Sequence, residues 1–171
     1  LCADRASPQQ GLSRSRVAMT MLDKVDQGRA SLSDPIRIGP EDLTLFHQPL
    51  AAEVKRQGAV IKSVYTLLEK ALAHSDNTAN DALLRHAGGP DAVNGFIERM
   101  KLGKIRFGPG ERLMQSRIAG LDWDQSLSQG RKFYTARATG PVETRRRALN
   151  PHRADPSAGA RTVAIVNARG E

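Results

Sequence analysis

Apolar positions along this chain recur mostly at helical spacing, and short polar breaks separate the runs. Ala18, Met21, Leu22 and Val25 form one helical stripe, which Gly28 ends. Leu32 to Ile38 reads as a turn and a short extended segment. Pro40-Glu41-Asp42-Leu43 starts a loop or a single helical turn, in a stretch running to Gly58. A helix is predicted over 61–73, with Val64, Leu67, Leu68, Ala71 and Leu72 on its apolar face. Ala79, Leu83 and Leu84 begin another at 79–86, stopped by Gly88-Gly89-Pro90. Pro90 then sits in the first turn of a further helix, which buries Val93, Phe96, Ile97 and Met100 and closes at Gly103. Residues 105–130, rich in Gly, Ser, Asp and Gln around the lone Trp123, read as one long loop. Residues 131–149 are weakly helical, 150–161 are linker-like, and Val163 to Val166 starts another helix or strand. The expected organisation is an irregular segment 1–16, a helical body 17–149 and a linker-like tail 150–171.

Composition narrows this picture. A length of 171 residues is enough for one domain with a proper core. Hydrophobic residues make up 39% and aromatics only 4%, so the core must be built from Leu, Val, Ile, Ala and Met, which suits packed helices. No apolar run is long enough to span a membrane, and no signal peptide is visible at the start. The start at Leu1 instead of Met is compatible with a fragment. A single cysteine, Cys2, rules out an internal disulfide. The net charge of +8 raises the question of nucleic acid. The excess sits in Arg5, Arg14 and Arg16 and in Arg145-Arg146-Arg147 with Arg153 and Arg161, with no aromatics interleaved for base stacking. A nucleic-acid partner is therefore not expected; a basic helical module without enzymatic activity remains the competing class.

The chemistry concentrates in the octet His74-Ser75-Asp76-Asn77-Thr78-Ala79-Asn80-Asp81, between two amphipathic patterns. Ser, Asp, Asn and Thr are standard helix N-caps, and capping alone accounts for the residue types. The position is still an expensive one. Buried polar side chains without partners cost about 1–3 kcal/mol each, so the turn is either stitched to its surroundings or aimed at something outside the protein.

Four stretches together resemble class A β-lactamases and related penicillin-recognising serine hydrolases. These are Leu22-Asp23-Lys24-Val25-Asp26-Gln27-Gly28, Asp34-Pro35-Ile36, Leu67 through Asn80, and Leu83-Leu84 followed by Gly88-Gly89-Pro90. They agree in order and spacing across about residues 17–121. The resemblance implies acyl transfer, in which the serine of a Ser-x-x-Lys motif attacks a β-lactam carbonyl and the lysine accepts its proton. It makes Ser75 the proton relay to the leaving nitrogen and Asn77 the contact to the substrate amide, while Asp76 orients the turn. Thr78 is read as a cap and His74 as structural. A glutamate from the loop after the Gly-Gly-Pro helix would activate the deacylating water. Glu111 is the best candidate, ahead of Asp122 and Asp124, although it lacks the family's Arg-x-x-Glu setting. The implied substrate is a β-lactam or a peptidoglycan peptide, with no cofactor and no metal, in a periplasmic or secreted setting. A D-Ala-D-Ala carboxypeptidase or transpeptidase is the near alternative.

The chain departs from the pattern at the nucleophile. Counted back without gaps, the family's serine falls on Gly11 and its lysine on Arg14; a gapped alternative pairs Ser13 with Arg16. Glycine carries no nucleophile, and arginine stays protonated at any working pH. A one-base shift of codons for Phe-Lys-Val-Ala can read as the Ser-Arg-Ser-Arg found at 13–16, so an out-of-frame or pseudogene origin of this segment is an expectation that the coding DNA checks. The shift does not restore a serine at position 11. No Lys-Thr-Gly tripeptide occurs anywhere. The expectation is a mainly α chain: the helical lobe of a three-layer α/β fold with most of its sheet missing, marginally stable and catalytically impaired.

Overall fold

The computed structural model describes residues 10–103, 105–139 and 165–167. Helix α1 runs from Gln10 to Asp26. Residues 10–16, expected to be irregular, thus form its first turns. They lack a clear apolar stripe, but Ser13, Arg16 and Val17 are buried against the rest of the protein. Tertiary burial overrides weak local periodicity here.

Two short strands, β1 (Pro35–Ile38) and β2 (Val60–Ser63), pair antiparallel with Ile36 opposite Lys62 and Ile38 opposite Val60. Between them come one turn of 3-10 helix at Pro40–Asp42 and helix α2 (Leu50–Gln57), which buries Leu50, Ala51 and Val54. The helix predicted from residue 61 starts only at Val64. Ser63 is the N-cap of α3 (Val64–Ala73), accepting from the Thr66 N–H, and residues 61–63 belong to β2. Val64, Leu67, Leu68 and Ala71 are buried as expected, whereas Leu72 on the same stripe is 50% exposed.

Helix α4 (Asn77–His86) is the centre of the molecule, and every residue from Asn77 to Leu84 is buried. A helix buried on all sides is ordinarily apolar. This one carries Asn77, Thr78, Asn80 and Asp81, so its polar groups must be met by neighbouring elements. Gly88 stands in the left-handed region at φ 100 and begins α5 (Gly89–Arg99), with Pro90 in its first turn and Val93, Phe96 and Ile97 buried.

The segment 105–130 is not one loop. It contains β3 (Ile105–Phe107), α6 (Glu111–Ile118) and a 3-10 turn at Gln125–Gln129. Helix α7 (Arg131–Thr139) follows, and β4 (Ile165–Asn167) pairs antiparallel with β3. The expected weak helix 131–149 is thus helical to Thr139, with 140–149 outside the described residues, as is the stretch 150–161. One core runs through α1 to α5, from Val17 and Met21 to Leu67, Leu83 and Ile97; a second, smaller cluster joins Leu45, Ala119, Leu127 and Phe133. The mainly helical expectation with little sheet holds among the described residues. Among them, no helix is long and apolar enough to cross a membrane.

Candidate active site

The turn between α3 and α4 is held by its own side chains. His74 and Ser75 are exposed, whereas Asp76 is fully buried. The Asp76 carboxylate accepts the Ala79 N–H at 2.9 Å through Oδ1 and the Leu50 N–H at 2.6 Å through Oδ2. Asp76 is therefore the N-cap of α4 and also ties the start of α2 to it. Thr78, read as a cap, lies inside the helix instead. Its hydroxyl joins Thr44 Oγ1 at 3.1 Å and Gln48 Oε1 at 2.8 Å.

Ser75 has φ 52, and the Asp76 N–H reaches back to the Lys70 carbonyl at 3.0 Å. A non-glycine residue in the left-handed region costs about 1–3 kcal/mol and persists only where its surroundings over-determine it. The two bonds of Asp76 supply that constraint, and they leave the Ser75 side chain at the surface beside the turn.

Asn77 is fixed from three directions. Its N–H donates to the His47 carbonyl at 3.0 Å, and its Nδ2 donates to the Leu45 carbonyl at 2.9 Å. Its Oδ1 accepts from Arg14 Nη2 at 2.6 Å. The first turns of α1 and the first turn of α4 thus meet through a charge-assisted hydrogen bond. Of the two registers considered for the missing Ser-x-x-Lys motif, the ungapped one has its arginine bonded to the turn: Arg14 holds Asn77. Ser13 and Arg16 are also buried, and desolvation by burial lowers the Arg16 pKa.

Glu111 arrives from the opposite side, as the first residue of α6, and is 2% exposed. The link is Asp81, four residues after Asn77 on α4. Its Oδ1 accepts the Glu111 N–H at 2.7 Å and its Oδ2 the Arg112 N–H at 3.2 Å. Gly110 is needed at this join. A Cβ there would lie 2.6 Å from Asp81 Oδ1 and 3.0 Å from Leu84 Cδ2. Burial pushes the Glu111 carboxyl above the ordinary carboxylate range, and the nearby Asp81 charge adds to that; Arg14 and a bond from Gln115 pull it back. Burial also raises Asp81, against the two backbone donors it accepts.

Arg14 Nε, Glu111 Oε1 and both amide atoms of Asn80 are buried without a hydrogen-bond partner among the described residues. Native proteins leave few such groups without a partner. Asp122 and Asp124 are both exposed, and Asp124 accepts the Ser126 N–H at the start of the 3-10 turn. Among the described residues, neither carboxylate bonds to the Arg14–Asn77–Glu111 cluster. Among the described residues no group of three His, Cys, Asp or Glu side chains could hold a metal ion.

Sequence reasoning names Asp81 at the end of the octet but gives it no role, and it gives Arg14 no contact to the turn. An aspartate one turn after the Ser-Asp-Asn turn, beside the apolar positions Ala82, Leu83 and Leu84, is a readable signal for the first. Nothing local signals the second.

The chain as a whole is similar to known proteins. A profile described as the beta-lactamase enzyme family matches residues 3–145. A β-lactamase of Bacteroides uniformis is 26% identical over 132 residues, covering 75% of this chain and 44% of that protein. Beta-lactamase VEB-1 of Pseudomonas aeruginosa is 26% identical over 117 residues, covering 68% and 37%. Among solved structures, a β-lactamase from Chitinophaga pinensis superposes with a TM-score of 0.61 at 26% identity, over 68% of this chain and 43% of that one. One from Burkholderia vietnamiensis gives 0.57 at 31% identity, over 65% and 40%. The chain spans less than half the length of these relatives.

Proposed function

The chain belongs to the beta-lactamase enzyme family, and we propose that its polar cluster is the helical half of a β-lactam-recognising site built for acyl transfer through serine, with hydrolysis impaired in this chain. The observation that carries this is the Arg14 to Asn77 hydrogen bond at 2.6 Å, which brings the α1 position expected to hold the proton-accepting lysine against the Ser-Asp-Asn turn. In this reading Asn77 hydrogen-bonds the substrate amide and Ser75 passes a proton to the leaving nitrogen. Glu111 is the base for the deacylating water, its raised affinity for a proton suiting that task.

Two substitutions stop the cycle. Gly11, one helical turn before Arg14, has no atom with which to attack the carbonyl. Arg14 cannot accept a proton, because a guanidinium is not deprotonated in proteins. The expected behaviour is recognition without turnover, in a periplasmic or secreted setting. The substrate class is β-lactams and the D-Ala-D-Ala peptides they mimic.

The test is a titration of the purified chain with benzylpenicillin, followed by amide NMR and by intact mass, with nitrocefin absorbance beside it. Shifts at Ser75, Asn77 and Glu111 without a mass increment or colour change support the reading. A penicilloyl adduct or nitrocefin turnover overturns the impairment. No shifts at those amides overturns the recognition itself.

A further inference from the structure

Asn80, on α4, has no exposed surface, and neither of its amide atoms is hydrogen-bonded among the described residues. The other polar side chains on this helix surface are engaged: Asn77 by Arg14, Thr78 by Thr44 and Gln48, and Asp81 by the start of α6. An amide buried without partners is disfavoured, because it gives up its hydrogen bonds to water and receives none in return. We propose that Asn80 and Arg14 Nε together hold one internal water molecule between α1 and α4, and that this water positions the guanidinium that holds Asn77.

Helix geometry brings the two groups to one place. Asn77 and Asn80 are three residues apart on α4 and so share a face. Helical side chains lean toward the N-terminus of their own helix, which carries the Asn80 amide back over the turn where Asn77 lies. Arg14 reaches that turn from α1, with Nη2 on Asn77 Oδ1 at 2.6 Å. The Nε–H and the Nη2 group form one edge of the planar guanidinium, with parallel N–H bonds. With Nη2 on Asn77, the buried and unpartnered Nε–H is aimed at the same face of α4. Helices α1 and α4 also run side by side in the same direction. Arg14 meets Asn77 at their starts, and Lys24 Nζ lies 3.8 Å from the position of a Gly88 Cβ at their ends. Asn80 thus comes one turn in from the Arg14 contact, level with the fully buried Val17.

The three orphaned atoms select the ligand. Arg14 Nε and Asn80 Nδ2 are donors, and Asn80 Oδ1 is an acceptor. The guanidinium charge repels a cation. An anion would meet both donors but press against Oδ1. Water has two lone pairs and two hydrogens, so it takes both donors and returns a bond to Oδ1. That makes three hydrogen bonds, the usual number for an internal water. With Nη2 on Asn77 and Nε on this water, the guanidinium is fixed at two points along one edge. Asn80 is then a positioning residue: it acts through the water on Arg14, and through Arg14 on Asn77. This site is independent of β-lactam recognition, and its test contains no β-lactam.

A high-resolution crystal structure of the full chain should show one water within about 3.2 Å of both Arg14 Nε and an Asn80 amide atom. No water there, or a protein atom bonded to Arg14 Nε in its place, overturns the proposal. Urea unfolding of two variants gives a second reading. Asn80→Leu keeps the branched shape and removes the hydrogen-bonding atoms, so it should lower the midpoint by about 0.5–1.5 M. Asn80→Ser keeps a donor and an acceptor for the water and should stay closer to wild type than Asn80→Leu. If Asn80 is only an unsatisfied amide, Asn80→Leu removes a cost and raises the midpoint, which overturns the water site. The positioning role is read by nitrogen NMR of side chains. Asn80→Leu should shift the Arg14 Nε and Asn77 Nδ2 signals, and Asn80→Ser should bring both back toward wild type. An unmoved Asn77 signal in Asn80→Leu overturns that role. If Asn80→Leu does not fold, the crystal structure decides the water site, and Arg14→Lys, which lacks Nε, should remove the water; a water retained there overturns the assignment.

Discussion

Replacing Asp76 by alanine removes two hydrogen bonds that end in the core. The donors left behind are the backbone N–H of Leu50 and that of Ala79, both on residues with no exposed surface. A buried donor stripped of its acceptor costs about 1–3 kcal/mol. Two of them, with some relaxation of the α2 end, give a loss of about 2–5 kcal/mol. Folded domains are stable by about 5–15 kcal/mol, so this single change takes a large share of the total. With a urea slope of about 2 kcal/mol per molar, the midpoint should fall by roughly 1–2.5 M. The assay is urea unfolding followed by circular dichroism. Asp124→Ala provides the comparison. Asp124 caps its own short helix by the same kind of bond, to Ser126 N–H at 2.9 Å, but at an exposed position where water replaces it. Its midpoint should barely move. If the two variants unfold at the same urea concentration, the cost does not come from burying the orphaned donors, and the reasoning fails.

Three further outcomes follow from the cluster around Glu111. The Glu111 carboxyl binds its proton more tightly folded than unfolded, so its contribution to stability is present below the unfolded value of 4.5 and lost as pH rises through the folded value. Glu111→Gln should therefore stabilise the protein at neutral pH and flatten its melting temperature above pH 4.5; an unchanged pH slope refutes this. Arg14→Ala should shift the Glu111 carboxyl titration further upward in carbon NMR, since the arginine charge opposes the effect of burial there; a downward shift contradicts it. Gly110→Ala forces a methyl within 2.6 Å of Asp81 Oδ1 and should cost about 1–3 kcal/mol, lowering the melting temperature by roughly 2–4 °C per kcal/mol in calorimetry. A melt equal to wild type would mean that the close approach is not needed.

What the sequence made legible follows physical lines. Helices α3, α4 and α5 announce themselves by their apolar faces, and for α4 and α5 a cap or breaker coincides with the face. Ser63 caps α3, Asp76 caps α4, and Gly88 with Pro90 opens α5. Strand β2 was absorbed into the α3 prediction because Val60 to Ser63 has no turn signal before Val64, and only its pairing with β1 makes it a strand. The segment 105–130 was unreadable for a different reason. Helix α6 is eight residues long, has Gly110 as its cap and makes no cap bond from that residue. Its start is fixed by Asp81, some thirty positions away in sequence. A helix capped from another helix leaves no local trace. The same holds for the site. Ser75, Asn77 and Glu111 are readable as residue types in a familiar order, but the contacts that fix Asn77 and Glu111, Arg14 to Asn77 and Asp81 to the Glu111 N–H, are tertiary.

Those two contacts separate the architecture of the site from its chemistry. Arg14 carries the positive charge that a lysine at that position would carry. It satisfies Asn77 Oδ1 and partly offsets the buried Glu111 charge. For holding α1, α4 and α6 together, a guanidinium is at least the equal of an ammonium, since its bond to Asn77 is charge-assisted and its charge is permanent. For proton transfer, permanence is the defect, because a base must spend time unprotonated. An arginine at this position therefore keeps the electrostatics that stabilise the cluster and, in the proposed reading, gives up the proton acceptance expected of a lysine there. Retention of the Ser75-Asp76-Asn77 turn follows from the same division. Asp76 and Asn77 together satisfy or engage backbone groups on α2, α4 and the 44–47 stretch, so this turn is required to close the fold whether or not a nucleophile faces it.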